Sequence, residues 1–385
     1  MLCAGLALGL KRVQRDMNKE KSTKPFPDCR ALKVVFLPQT EIYAGNPYWE
    51  QLQAKLEQIG VEFVQTDDKL YLQWRWLVQN RHRVDVIHFH FLQHHYAVNE
   101  KSASAGLLMK FIAKLILAKL LGYRLVWTVH NLYPHEKLYP EYIGRLAHLA
   151  MAHLADAVIV HCEHARQALA DKFYRRKNVY TTFHPSYIGI YPDIISRKEA
   201  RAKLHLSEHQ RVILFLGTIR AYKGVDQLIQ AFRRISGEEL VLLIAGKLWH
   251  TMSEAQFQAL SLGDKRIVFV PHYIPDMDLQ NYYKAADAVI LPFTNVLSSG
   301  SALLAMSFGC PVIAPAIGCL AEVITPDTGV VYDPREDEGL YKALLHALSQ
   351  DLKDMGENAY KRATQFTWDD MAGKTLQVYR SAKAF

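Results

Sequence analysis

The sequence predicts an α/β chain built as two parallel-sheet domains in tandem. Two stretches alternate short β-branched runs with helical patterns, and a break rich in Pro, Tyr and charge separates them at 184–210. At roughly 100–200 residues per domain, a 385-residue chain has room for both.

In the first stretch, strands are predicted at KVVFLP (33–38), VEFVQ (61–65), VDVIHFH (84–90), RLVWTVH (124–130), DAVIVHC (156–162) and NVYTTFHP (178–185). PYWEQLQAKLEQIG, between the first two, has helical spacing with Gly60 as its stop. HPSYIGIYPDIISRKEARAKLHLSEHQ reads as a linker plus a short helix. The second stretch follows with RVILFLG (211–217), ELVLLIAG (239–246), IVFV (267–270), DAVILP (287–292) and CPVIAP (310–315), separated by helices such as VDQLIQAFRRI and SALLAMSFG. The expected organisation is a mobile lead-in at 1–30, a Rossmann-like domain at 31–185, a linker at 186–210, a second Rossmann-like domain at 211–366 and a terminal helix at 367–385. Ligands in such sheets sit beyond the carboxyl ends of the strands, so two facing domains predict one cleft.

Half of the residues are hydrophobic and 22% are charged, which excludes wholesale disorder. The net charge of +8 favours an anionic partner: phosphate, an acidic lipid surface or nucleic acid. No RNP, KH or helix-turn-helix pattern accompanies that charge, so nucleic acid is not an expected partner. The five cysteines, Cys3, Cys29, Cys162, Cys310 and Cys319, are too few and scattered for a disulfide framework, and none forms a CxxC zinc motif. A reducing, cytoplasmic compartment is the simplest expectation. The apolar start Met1–Leu10 is followed by Lys11, Arg12 and Arg15; it is too short to span a bilayer and lacks a preceding basic segment.

The chain has no GxxxxGK[ST], GxGxxG, GxSxG or HExxH motif, which removes the main support for ATPase, dehydrogenase, serine-hydrolase and zincin readings. Asp276-Met277-Asp278 has the spacing of a metal-holding pair, but its position after a Pro and before a helical pattern points to capping. The strongest positive signal is Gly217-Thr218-Ile219-Arg220-Ala221-Tyr222-Lys223-Gly224, directly after a strand. Arg220 and Lys223, three apart at a helix entrance, are expected to point the same way and, with the helix dipole, to receive a diphosphate. A second receptive turn runs from Phe293 to Gly300: Ser298 or Ser299 is a natural N-cap, and Gly300 leaves the first-turn N–H groups open.

GTIRAYKG, YYKAADAVILPF, SSGSALLAMSFGCPVIAP and TGVVYDP, in this order, resemble the second domain of GT-B glycosyltransferases of the family-4 group. TVHNLYPHE (128–136) is similar to that family's first-domain strand ending in His plus a polar residue. TWDDMAGKTLQVYRS (367–381) is similar to its returning C-terminal helix. The resemblance implies a GT-B fold, two Rossmann-like domains facing across a cleft, and a nucleoside-diphosphate sugar on the second domain. It assigns Arg220 and Lys223 to the diphosphate, with Gly217 beside it and Ser299 and Gly300 presenting backbone N–H groups. It places His130 near the reacting sugar carbon and makes Tyr273 and Ile274 candidates for the nucleobase.

The family carries two glutamates eight positions apart where this chain has Val296 and Leu304. Asn295 or Ser298 is the expected substitute; otherwise the chain is a divergent or inactive binding subunit. No metal or cofactor is expected, because the cations meet the charge of the leaving group. On the acceptor side the candidates are Tyr43, Gly45, Asn46, His90 and Glu136; a metal role for His88, His90, His94 and His95 lacks an acidic ligand.

LLMKFIAKLILAKLLGYRL (107–125) contains Lys110, Lys114 and Lys119, which argues against a spanning helix. With LQWRWLVQNRHR (72–83) and FYRRK (173–177) it gives the first domain a basic, aromatic surface. The expected partners are thus a UDP- or GDP-linked sugar, a lipid-linked or oligosaccharide acceptor, and an anionic membrane face.

Overall fold

The near-continuous Val/Ile/Leu runs form central strands buried on both faces, as parallel sheets covered by helices require, while the edge strands are partly exposed. A computed structural model describes residues 31–39, 47–66, 72–98, 102–133, 140–249 and 253–382. The lead-in at 1–30 and the candidates Tyr43, Gly45, Asn46 and Glu136 lie outside the described residues.

The first sheet contains β1 (Leu32–Leu37), β2 (Val61–Phe63), β3 (Val86–Phe89), β6 (Arg124–Thr128), β7 (Ala157–Val160) and β8 (Val179–Thr181) in the order β2-β1-β3-β6-β7-β8. A two-stranded antiparallel ribbon, β4 (Ala97–Val98) with β5 (Ser102–Ala103), lies outside it and was not expected from the sequence. The second sheet contains β9 (Arg211–Leu216), β10 (Leu240–Ala245), β11 (Ile267–Val270), β12 (Ala288–Ile290), β13 (Val312–Pro315) and β14 (Gly329–Tyr332), ordered β11-β10-β9-β12-β13-β14. All pairings within that sheet are parallel.

Strand order reverses between β1 and β3 in the first sheet and between β9 and β12 in the second. These are the points at which neighbouring loops diverge and leave a crevice. The predicted glycine loop leaves β9 and the predicted serine loop leaves β12, so both flank one reversal. His90 follows β3 at the other.

Each sheet has its own apolar core. Leu297 and Cys319, from the second half, are buried in the core of the first. The chain also crosses back at its end. The helix Trp368–Ser381 is capped by Thr367, whose side chain accepts from Asp370 N. Along it, Tyr379 OH meets His88 Nδ1 at 2.7 Å, Arg124 Nη1 donates to Tyr379 O at 3.0 Å, and Lys55 pairs with Asp369 at 2.9 Å. The outgoing and returning segments touch: Ser186 N donates to Phe366 O at 2.8 Å and Trp368 Nε1 to Ser186 O at 2.9 Å.

The cysteine expectation is corrected here. Cys162, ending the turn after β7, and Cys319, at the start of the helix Leu320–Val323, form a disulfide with Cα atoms 5.5 Å apart. A separation of 157 residues hid the pair, because spacing reveals only local pairings. The bridge removes the ground for inferring a reducing compartment from cysteine usage. Among the described residues, no helix is long and apolar enough to cross a membrane.

Candidate functional site

Gly217 and Gly224 shape the first loop for steric reasons. Gly217 has φ 140° and Gly224 φ 65°, and a Cβ on Gly224 would run into the Pro292 carbonyl oxygen. The loop therefore packs directly against the chain leaving β12. Between these glycines Ala221–Lys223 forms a single 3₁₀ turn, and the α-helix begins only at Val225. Arg220, the N-cap of that turn, has extended backbone, and it lies close enough to act on the Lys223 charge. The half-buried Lys223 ammonium sits under the Phe215 and Phe293 rings, 6.0 and 5.5 Å from their centroids. The Arg220 guanidinium instead stacks on Trp249, 4.0 Å from its centroid. Burial, and then repulsion from Arg220, pulls the Lys223 pKa down to about 8.

In the second loop Ser299 is the N-cap, its side chain accepting from Ala302 N at 3.4 Å, and the helix runs Gly300–Ser307. Ser298 has a different partner: its hydroxyl donates to the His130 carbonyl at 3.1 Å. Gly300 is closely covered, since a Cβ there would lie 2.7 Å from the Tyr187 hydroxyl oxygen.

The two loops and the first half enclose a cavity of about 560 Å³. Lys223, Thr218 and Tyr222 form one side, Ser298 to Ser301 another, and His130, Asn131, Tyr48 and Trp49 face them from the first half. Tyr187 and Tyr191, from the segment read as linker, complete the wall. No aspartate or glutamate lines it among the described residues. A separate cavity of about 660 Å³ touches Asp287, Gly309 and Lys353, at the amino ends of the strands, away from the crevice where ligands bind in such sheets.

His130 stands at the centre of a buried aromatic cluster. Its Nε2 lies 3.0 Å from His90 Nδ1, so one ring supplies the proton and the other accepts it. Trp49 stacks on it at 5.8 Å and Tyr48 meets it edge-on at 4.9 Å. Burial, reinforced by His90, His161 and His184, holds its pKa well below the usual histidine value. Burial brings His88 and His184 to about 3 and His161 to about 4. At neutral pH the cluster is uncharged, and His130 offers a hydrogen bond, not a positive charge.

Several expected residues stand elsewhere. His90 is 2% exposed and lies behind His130, away from the cavity wall, because strand alternation turns it inward. His88 is equally internal, bonded to Tyr379 and Thr128. Asn295 is exposed and outside the lining. Ile274 belongs to the second core, while Tyr273 is 65% exposed and donates to Asp276. Asp278 occupies an N-cap position without a side-chain capping bond; it accepts from Asn281 Nδ2. Among the described residues, no group of three His, Cys, Asp or Glu side chains is arranged to hold a metal ion. Reading by sequence missed Tyr48, Trp49, His184, Tyr187 and Tyr191, and gave Thr218 and Tyr222 no role of their own within the glycine loop. The repeated tyrosines of HPSYIGIYP were the one available signal.

Residues 196–362 match the family model described as glycosyl transferases group 1. The D-inositol 3-phosphate glycosyltransferase of Xylanimonas cellulosilytica is 29% identical over 195 residues, 49% of this chain and 47% of that protein. The GDP-mannose:glycolipid 4-beta-D-mannosyltransferase of Xanthomonas campestris is 27% identical over 273 residues, 68% of this chain and 71% of that one. The chain spans about half the length of the inositol-phosphate glycosyltransferases it matches. Among solved structures, sucrose-phosphate synthase from Thermosynechococcus elongatus superposes with TM-score 0.65 at 20% identity, covering 91% of this chain and 98% of that one. Anabaena HepE in complex with UDP gives 0.66 at 18%, covering 90% and 100%. These superpositions establish the two-domain GT-B fold.

Proposed function

Because residues 196–362 are a glycosyltransferase group 1 domain, homologous to GT-B family-4 enzymes, we propose that this chain transfers a sugar from a UDP- or GDP-linked donor to an acceptor. The observation that carries the reading is Lys223: a cation in a cavity that no carboxylate lines among the described residues, near a second cation and the N-terminus of the helix Gly300–Ser307. Such an arrangement is satisfied by an anion.

Breaking the anomeric C–O bond leaves an oxocarbenium-like sugar and moves negative charge onto the departing diphosphate. The Lys223 ammonium and the N–H groups of Gly300 and Ser301 meet that charge as it grows, which is the differential stabilisation catalysis needs. Arg220 acts from the rim beside Trp249, and Gly217 lets the backbone approach. Neutral His130 positions the sugar by hydrogen bonding. We assign the electrostatic work to Lys223 and the helix end, with no metal required. Lys223→Ala is expected to stay folded and lose about 10²–10³ in transfer rate. Unchanged turnover overturns the assignment.

For the acceptor we propose a lipid-linked sugar, reached by peripheral docking of the first half. The helix Ala105–Leu120 leaves Met109 and Ile116 exposed and Leu120 80% exposed; Trp74 and Val78 of the neighbouring helix Trp74–Asn80 are exposed too. The Lys114 ammonium lies over the Trp74 ring at 5.8 Å, placing positive charge on this apolar face. Anionic lipid offers both matching surfaces. Flotation with anionic vesicles at low salt checks it, and protein left unbound removes the docking idea.

Val296 and Leu304 favour a second reading, a nucleotide-sugar-binding subunit without turnover. Both line the cavity and neither accepts a hydrogen bond from a ribose or sugar hydroxyl. Donor binding without sugar release would establish that reading; release would dismiss it.

A further inference from the structure

The Cys162–Cys319 bridge is one of a set of contacts that cross between the halves at the same place. The Glu322 carboxylate accepts from Glu163 N at 2.9 Å and His164 N at 2.7 Å, meeting the free first-turn amides of the first-half helix Glu163–Phe173. Cys319 N donates to Leu297 O at 2.7 Å. Gly318 presses so closely on this loop that a Cβ would strike the Val296 and Leu297 carbonyl oxygens. The next residue, Ser298, is bonded to His130. The disulfide is thus one main-chain hydrogen bond away from the loop that carries the cavity's helix N-terminus.

We propose that Cys162–Cys319 is a redox latch on the cleft: oxidised, it holds the loop Val296–Gly300 against His130; reduced by a dithiol, it lets the halves part. A reductant thiolate attacks one sulfur, breaking the S–S bond and forming a mixed disulfide. The other cysteine leaves as thiolate and takes a proton. The second thiol of the reductant then resolves the mixed disulfide. In total, two electrons and two protons pass to the protein, which gains two thiols, and the reductant becomes a cyclic disulfide. Both cysteines lie in the first core, Cys319 carried there by the second half, so the bridge joins the two halves covalently. Both cysteines are buried, so the reductant reaches them only through a local opening of the turns around the bridge, which the intact bond permits. A ligand that closes the cleft must therefore slow reduction, as linkage requires. That last consequence rests on the cavity being the donor site; the latch itself does not.

The test compares the full chain purified without reductant, the same protein after dithiothreitol, and the double variant Cys162→Ser/Cys319→Ser. Mass spectrometry should find the first form lighter by two hydrogens at these cysteines. Amide exchange should rise several-fold at Glu163–His164 and at Val296–Gly300 on reduction and in the variant, with no further response of the variant to dithiothreitol. UDP or GDP should associate several-fold faster with the reduced form and slow reduction of the oxidised one. Absence of the crosslinked mass, or unchanged exchange in both segments, overturns the latch. Should neither nucleotide bind either form while exchange responds, the donor reading fails and the latch is upheld. If the double variant does not fold, reduced wild-type protein decides.

Discussion

The Ser298 hydroxyl donates to the His130 carbonyl oxygen at 3.1 Å, joining the loop after β12 to the strand end that carries the cavity histidine. That bond ties the helix end to the strand end that carries the neutral imidazole. Ser298→Ala is expected to cost about 0.5–1.5 kcal/mol of this alignment, seen as a modest fall in kcat/KM with an unchanged fold. A loss as large as that of Lys223→Ala would mean the hydroxyl contacts substrate itself.

The pH dependence of nucleotide binding follows from Lys223. Its pKa of about 8 makes it a cation at neutral pH, and a bound phosphate favours the charged form. Affinity should therefore be full below pH 8 and decline as pH rises through and beyond it. Lys223→Arg should hold its affinity across the same range, because guanidinium does not deprotonate there. Isothermal titration from pH 7 to about 10 checks both curves.

Gly300→Ala should weaken binding through Tyr187. The added methyl would lie 2.7 Å from the tyrosine hydroxyl oxygen, a clash costing about 1–3 kcal/mol. Tyr187→Phe removes that oxygen, so the double variant should recover most of the loss in nucleotide affinity. No recovery would place the strain in the backbone of the helix start.

Acid should unfold the protein through its buried histidines. In the native state His88 and His184 titrate at about 3 and His148 and His161 at about 4, all lowered chiefly by burial, whereas an unfolded chain binds these protons near pH 6.5. Stability is intact above 6.5 and is lost as pH falls toward 4, at about 1.4 kcal/mol per pH unit for each histidine. A melting temperature independent of pH between 7 and 5 would contradict neutral burial.

Reduction should lower the melting temperature. A bridge closing 157 residues restricts the unfolded chain, and such links contribute about 2–5 kcal/mol. Melts with and without dithiothreitol measure it, and Cys162→Ser should reproduce the reduced value.

The strands were legible because each is a short β-branched run, and the paired loops because glycine and serine stand where a turn and a cap demand them. The site was legible only on its second-half side. The rings that the two cations meet, Trp249 for Arg220 and Phe215 and Phe293 for Lys223, come from other strands and loops and could not be read from the motif. His90 sits behind His130 because alternation fixes a face without saying which side meets the cavity. The walls built from Tyr48, Trp49, Tyr187 and Tyr191 depend on which segments fold over the cleft, and no local pattern encodes that. Cys162 and Cys319 meet only through the docking of one sheet's turns on the other's.

The outgoing and returning segments are bonded to each other at Ser186 and Phe366, so the chain's two crossings between the halves lie side by side. The Cys162–Cys319 bridge is a further, covalent fastening between the halves. On the proposed latch, the freedom of the gap between the halves depends on two sulfur atoms and the electron donors around them.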